Sequence, residues 1–325
     1  MNHAKPAPLS PNQNLMGRLD WSRYIVYVGF FSILLFFAVT LRDDGFFTTE
    51  NLLNIVIQTT PVTIMTIGMV FVLSSGEIDL SIGSVVALAA LCTALLLRHF
   101  SAWVAVPGGL AIGVAVGLFN GSFVTLLRLP SFLVTLASMG LVSGIARTLT
   151  NLQSVAVTND GFIAIFGGGE IFSVPSLLLW SCGAVTLGHF VLRETRLGAH
   201  ILAIGDNASA ARVSGIKVNR NRMLVMVLSS SCAALAGVLF AGRLQGASYT
   251  LGETELMTVI AAAIIGGTRL NGGVGTVVGA LLGSLTMGML NNGLILMGLT
   301  VAQQMIVRGI IILLAVAVTL REKKN

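Results

Sequence analysis

Between Asn51 and Leu97 only two residues carry charge, Glu77 and Asp79, and both fall in the stretch SSGEIDLSIGS, Ser74–Ser84. A carboxylate in so apolar a run has few uses. It can bind an ion or titrate, meet a buried cation, or hold the free N–H groups at a helix start. A charge at a bilayer centre costs about 2.5–3.5 kcal/mol on insertion scales, so each acid needs a partner, a cavity or a shallow position. Asp79 or Ser81 can cap a helix beginning at Ile82, and Asp79 is also a candidate pathway or gate residue. Residues two apart on a helix point to nearly opposite faces, so the two acids are not expected to form one site. Spacing assigns Glu77 no partner.

Asn120, Asn291, Asn292, Gln303 and Gln304 form a second group, uncharged amides in or beside apolar runs. Amides can hydrogen-bond a neutral polyhydroxylated solute without asking for charge, and they equally bridge helices. Asn120, Asn291, Asn292 and Gln303 therefore join Asp79 as pathway candidates. Arg147 and Arg308 are expected to snorkel or pair rather than to hold solute. Enzyme chemistry finds little to work with. There is no phosphate-binding G-x-x-x-x-G-K-[ST] loop, no HExxH, no paired Cys or His spacing, and no second intramembrane aspartate. Neither a metal nor a cofactor is expected in this chain, and Cys92, Cys182 and Cys232 read as small buried apolar residues.

The elements that must position these residues are membrane spans. Charged residues make up 10% of the 325 and hydrophobic ones 55%, with mean hydropathy +0.90, far from a soluble domain. The expected fold is all-α and polytopic, with about ten transmembrane helices and some broken or re-entrant segments. The apolar blocks lie near Tyr24–Leu41, Leu52–Ser74, Ile82–Leu97, Trp103–Leu127, Ser131–Thr150, Val174–Leu192, Met223–Gly242, Leu256–Gly266, Thr276–Met297 and Val301–Leu320. Whether the third and eighth fully cross is left open. Threading them with the N-terminus inside puts fourteen of the nineteen Lys and Arg residues on the cytoplasmic side; only Arg42, Arg98 and Arg243 fall outside. Both termini are then cytoplasmic, and the net charge of +6 reflects topology rather than nucleic-acid binding.

Residues 1–20 read as a polar cytoplasmic tail rather than a signal peptide, and 21–325 as one transmembrane domain. Glycines at three- and four-residue spacing, as in AIGVAVGLFNG (Ala111–Gly121), let helices approach closely in lipid. A possible internal pseudo-repeat relates Gly83–Leu88 to Gly275–Ala280 and Gly117–Gly121 to Gly288–Asn292, with unequal spacing.

The largest polar interval is the loop 193–222. Asp206 or Asn207 can cap a short helix through Ser214, and Gly215 can end it in a left-handed turn. The result is a small apolar knob in a basic surround, fit to lie on anionic lipid or to dock a cytoplasmic protein. The segments SSGEIDLSIGSVVAL, LPSFLVTLASM, TRLGAHILAIGDNASAARVSGIKVNR, IAAAIIGGTRLNGGVGTVVGALLGSL and NNGLILMG, in this order along the chain, resemble the permease subunit of bacterial ribose/xylose/galactose-type ABC importers. The resemblance runs from about the second span to the last. It implies a multi-pass protein of the bacterial inner membrane, working as a dimer of permeases beside a cytoplasmic ABC ATPase that holds ATP and Mg, with a periplasmic solute-binding protein delivering the solute.

By that resemblance Asp206, Asn207, Ala210, Ala211, Gly215 and Ile216 form the coupling segment to the ATPase. Phe132, in LPSFLVTLASM, is a further candidate pathway or gate residue. Two departures stand out. The family often has Gly-Gly-Ile-Asp where this chain has Gly-Glu-Ile-Asp, and often Arg where this chain has Ser143. The expected function is a non-catalytic transport subunit that moves a sugar or polyol by alternating access. The rivals are an ion-driven secondary transporter and an ABC permease for branched-chain amino acids or another small solute.

Overall fold

A computed structural model of the protein describes residues 21–321; the expected tail, residues 1–20, and the basic residues Lys323 and Lys324 lie outside them. The chain begins with α1 (Trp21–Thr40), α2 (Thr49–Ser74), α3 (Ile82–Leu97), α4 (Ala102–Thr125) and α5 (Ser131–Leu149). An irregular stretch follows, made of β1 (Val155–Ala156), α6 (Asp160–Phe166), β2 (Glu170–Ile171) and β3 (Val174–Pro175). Then come α7 (Ser176–Glu194), α8 (Arg196–Asp206), α9 (Ala208–Val213), α10 (Val218–Arg243) and β4 (Gly246–Ala247). The described chain closes with α11 (Glu255–Ile265), α12 (Val277–Leu296) and α13 (Val301–Arg321). β1 pairs antiparallel with β4, and β2 with β3.

Among the described residues six helices, α2, α4, α5, α7, α10 and α12, are long and apolar enough to cross a membrane. α3 and α11 are shorter. The 11 residues of α11 rise only about 16 Å, half of a hydrocarbon core. Its run stops at Gly266 and Gly267, whose left-handed φ of +83° turns the chain into the NGGVG loop. The two halves of the suspected repeat occupy unlike elements: the first pair of segments lies on α3 and α4, the second on α12 and the residues just before it.

α10 is the central element, with α2, α3 and α4 packed around it. Small residues explain the close approach of α4: an added Cβ at Gly113 or Gly117 would overlap the α10 backbone at Ser230 or Val227, and one at Gly121 would overlap Met223. Dispersion between closely matched surfaces replaces the hydrophobic drive that lipid cannot supply. Gly117→Leu is therefore expected to force the two helices apart at a cost of about 1–3 kcal/mol, read as a lowered Tm and membrane level of the purified protein. The core follows the same elements, from Met65–Leu73 on α2 through Val85–Ala89 on α3 to Ala233–Phe240 on α10. At the far end of α10 the short helix α6 lies across Gly242, held by the stacked rings of Phe162, Phe166 and Trp180.

Candidate functional site

The acids Glu77 and Asp79 occupy a non-helical break between α2 and α3. α2 ends because Gly76 adopts φ +78°, letting its N–H reach Leu73 O (2.9 Å) and the Glu77 N–H reach Val72 O (3.1 Å), the paired bonds of a Schellman ending. Four helices then hold the released segment. From α5, Ser131 Oγ accepts the Ile78 N–H at 3.1 Å, and the Thr135 hydroxyl donates to Ile78 O at 3.2 Å. From α4, Asn120 Nδ2 donates to Ser81 Oγ at 2.9 Å.

The other two ties run to α10 and to the end of α8. Glu77 Oε1 lies 2.7 Å from Arg222 Nε in the first turns of α10, an ion pair whose N–H does not point along the contact. Asp79 Oδ2 accepts from Ser229 Oγ at 3.0 Å, while Oδ1 accepts both the N–H and the hydroxyl of Ser81, at 2.9 and 2.6 Å. Neither Asp79 nor Ser81 takes a first-turn N–H of α3, so the side-chain cap expected there does not form; Asp79 instead closes a turn onto Ser81. Asp79 and Asn120 are fully buried. Arg222 and Ser229 are seven residues apart, so both acids attach to one face of α10 about 10 Å apart. Because the acids sit in a non-helical segment, the opposite-face expectation does not apply to them.

The tie to α8 is made of backbone alone. Gly205 lies so close to the Ser74 carbonyl and to the Gly273 nitrogen that a Cβ there would overlap them, a Cβ at Gly272 would overlap Gly205 in turn, and the Gly273 N–H donates to Ser74 O at 3.0 Å. α8 thus rests on the last turn of α2 and on the α11–α12 loop. Directly after α8, Asn207 caps α9, accepting the Ser209 and Ala210 N–H groups at 3.0 Å each. Gly215, at φ +84°, ends α9 with Ile216 N–H on Ala211 O at 3.0 Å. The expected short helix therefore forms from the expected residues. Ala211 faces inward, buried with Ile204 and Val218, whereas Asn207 and Ala210 are exposed; Ile216 packs beside Ala211. The most exposed apolar side chain of the knob is Val213, at 91%. Sequence reasoning passed over it, although an apolar residue two before a helix-ending glycine in a polar loop was the available signal.

The remaining candidates separate into two ends. Phe132, half exposed, opens α5 beside the break, together with Asp79 and Asn120. Asn291, Asn292 and Gln303 lie near the other end of α2, roughly 35 Å away along its axis. Asn292 and Asn51 exchange amide hydrogen bonds of 2.9 and 3.0 Å, Asn291 Oδ1 accepts from Arg308 at 2.6 Å, and Gln303 Oε1 accepts the Thr300 N–H at 2.9 Å. Arg147, expected to pair, meets Glu253 at 2.7 Å and covers the Tyr249 ring. Among the described residues no cluster of His, Cys, Asp or Glu could hold a metal, and the three cysteines are free.

A polytopic helical bundle with a capped knob resting on a broken span is consistent with a membrane permease. Residues 51–316 match the family of the branched-chain amino acid transport system permease component, and the chain belongs to that family. It is a multi-pass protein of the bacterial inner membrane. It is similar to the ribose import permease protein of Escherichia coli (strain K12), 40% identical over 88% of this chain and 90% of that one. The L-arabinose ABC transporter permease protein of Azospirillum brasilense is 36% identical over 87% and 84%. The xylose transport system permease protein of Haemophilus influenzae is 30% identical over 93% and 97%. No solved structure matches the chain.

Proposed function

We propose that this chain is the translocating subunit of an ATP-driven importer for a sugar, with a pentose as the first solute to try. The observation that carries the reading is the exposed knob around Val213, seated through Gly205 on the end of α2 and thereby on the break that gathers α4, α5 and α10. A cytoplasmic ABC ATPase, which holds ATP and Mg, grips this knob through Asp206–Ile216, and a periplasmic solute-binding protein delivers the sugar at the opposite face. The likeness over most of the chain to permeases named for ribose, arabinose and xylose supports a sugar over an amino acid.

In this reading the chain crosses ten times with both termini cytoplasmic, α3 and α11 completing their crossings with adjoining non-helical segments. Two copies assemble, and their route runs from Asn291, Asn292 and Gln303 at the outer end to Asp79, Asn120 and Phe132 at the inner end. Such a route binds weakly, because a solute held tightly would not leave.

The direct test is reconstitution with the ATPase and binding protein, scoring ATP hydrolysis and uptake for ribose, xylose, arabinose and leucine. Sugar-stimulated, ATP-dependent uptake is expected. Uptake that persists without any ATPase overturns the reading in favour of ion-driven transport, and stimulation by leucine alone moves the substrate to amino acids. Val213→Asp is expected to lower uptake at least about tenfold at an unchanged membrane level, since it places a carboxylate in a desolvated contact. Ala211 is unsuited to this test, because a larger side chain there disrupts the knob itself.

A further inference from the structure

Beside the break lies a cavity of about 920 Å³. Its walls bring together cations from separate segments: Arg128 from the α4–α5 turn, Arg212 from the knob, and Lys217, Arg220 and Arg222 from the entry to α10. The single carboxylate lining it, Glu77, is already taken by Arg222. Among the described residues Arg128, Arg212, Lys217 and Arg220 meet no carboxylate and donate no side-chain hydrogen bond. An excess of basic residues on one membrane face needs only topology to explain it. Topology does not explain their convergence on one recess, where like charges repel across a shared space.

Nor does topology explain the backbone of Arg128. It sits in the left-handed region at φ +56°, which an ordinary side chain disfavours and keeps only where surrounding structure enforces it. The same turn exposes Leu126 and Leu127, at 75% and 60%, in sequence between the lining residues Thr125 and Arg128. A charged recess bordered by bare leucine is amphiphilic. Guanidinium groups match phosphate by forked, charge-assisted hydrogen bonds, and basic pockets between spans on the cytoplasmic side suit anionic headgroups.

We infer that this cavity is a binding site for a phosphate group, held by Arg128, Arg212 and Arg220 with Lys217. The expected source is the headgroup of an anionic lipid whose chains lie on Leu126 and Leu127; the alternative source is a soluble phosphate. The site stands on the geometry of this one chain. It rests on the proposed orientation only in naming the inner leaflet as the source.

The test needs neither ATP nor sugar. Full-length protein purified in detergent is titrated with phosphatidylglycerol, with phosphatidylcholine and with inorganic phosphate, reading retained lipid by mass spectrometry and the shift in Tm. Wild type is expected to bind phosphatidylglycerol at least about tenfold more tightly than phosphatidylcholine, and Arg128→Gln with Arg220→Gln to abolish that preference. Arg98→Gln, remote from the cavity, is expected to keep it. Stabilisation by inorganic phosphate alone, lost in the double variant, keeps the site and assigns it a soluble ligand. Equal binding of both lipids with no response to phosphate overturns the inference, as does equal behaviour of the Arg98 variant and the double variant. Helical content and elution profile show that each variant is folded. Because binding is read without transport, a failure here leaves the importer reading standing, and failed sugar uptake leaves this one standing.

Discussion

Asp79→Ala is expected to destabilise the protein by roughly 3 kcal/mol, while Asp79→Asn stays within about 1 kcal/mol of wild type. The carboxylate is fully buried and accepts three hydrogen bonds, two from Ser81 and one from Ser229, with Asn120 attached through the Ser81 hydroxyl. Removing it orphans several donors at once, each costing about 1–3 kcal/mol when left buried and unpaired, with losses that are not additive. Asparagine keeps Oδ1 for Ser81 and offers an N–H to Ser229, whose hydroxyl can accept as readily as donate. Denaturant or thermal unfolding of the purified protein reads the difference. If alanine and asparagine behave alike, the network around Asp79 is not what holds the break. If alanine unfolds the protein and asparagine preserves both fold and uptake, ionisation of Asp79 plays no part in transport, which also removes the best intramembrane acid from an ion-driven mechanism.

The second large effect is expected at Glu77. Glu77→Arg places two cations in contact where the Glu77 side chain is only 8% exposed, so membrane level and uptake should fall together. Arg222→Glu should do the same by the converse repulsion. The double exchange restores the pairing, and a double-mutant cycle is expected to return a coupling energy of about 1–3 kcal/mol. Additive losses in the exchanged protein would mean that the pair does not bind the break to α10. Glu77→Gln is the milder case, because Arg222 is exposed enough at 29% to be hydrated when its partner is neutral.

Local chemistry made much of this architecture legible in advance. Asn207 and Gly215 bracket α9 because a cap acceptor and a left-handed glycine act within a few residues of themselves, and both positions are read from spacing. The apolar run lengths likewise anticipate the six long helices. What spacing could not supply was any partner distant in the chain. Glu77 looked unpaired because Arg222 follows 145 residues later, and only folding brings α10 beside the break. Ser131 and Thr135 gave no sign that they would hold Ile78, since a hydroxyl in a span is most often bonded to its own helix. The amides were ambiguous for a different reason: Asn51 with Asn292 and Asn291 with Arg308 satisfy one another within the chain, and composition cannot tell such pairs from groups awaiting a solute.

The contact of Gly205 with Ser74, Gly272 and Gly273 carries a mechanical consequence. Most helix contacts are cushioned, because side chains hop between rotamers and let packed elements slide by fractions of an ångström. Here main chain bears directly on main chain, and main chain has no rotamers to give. In the proposed coupling, a push on the knob would reach the end of α2 through this backbone contact, with little give along the way, and the Gly273–Ser74 hydrogen bond is the part of it that can part.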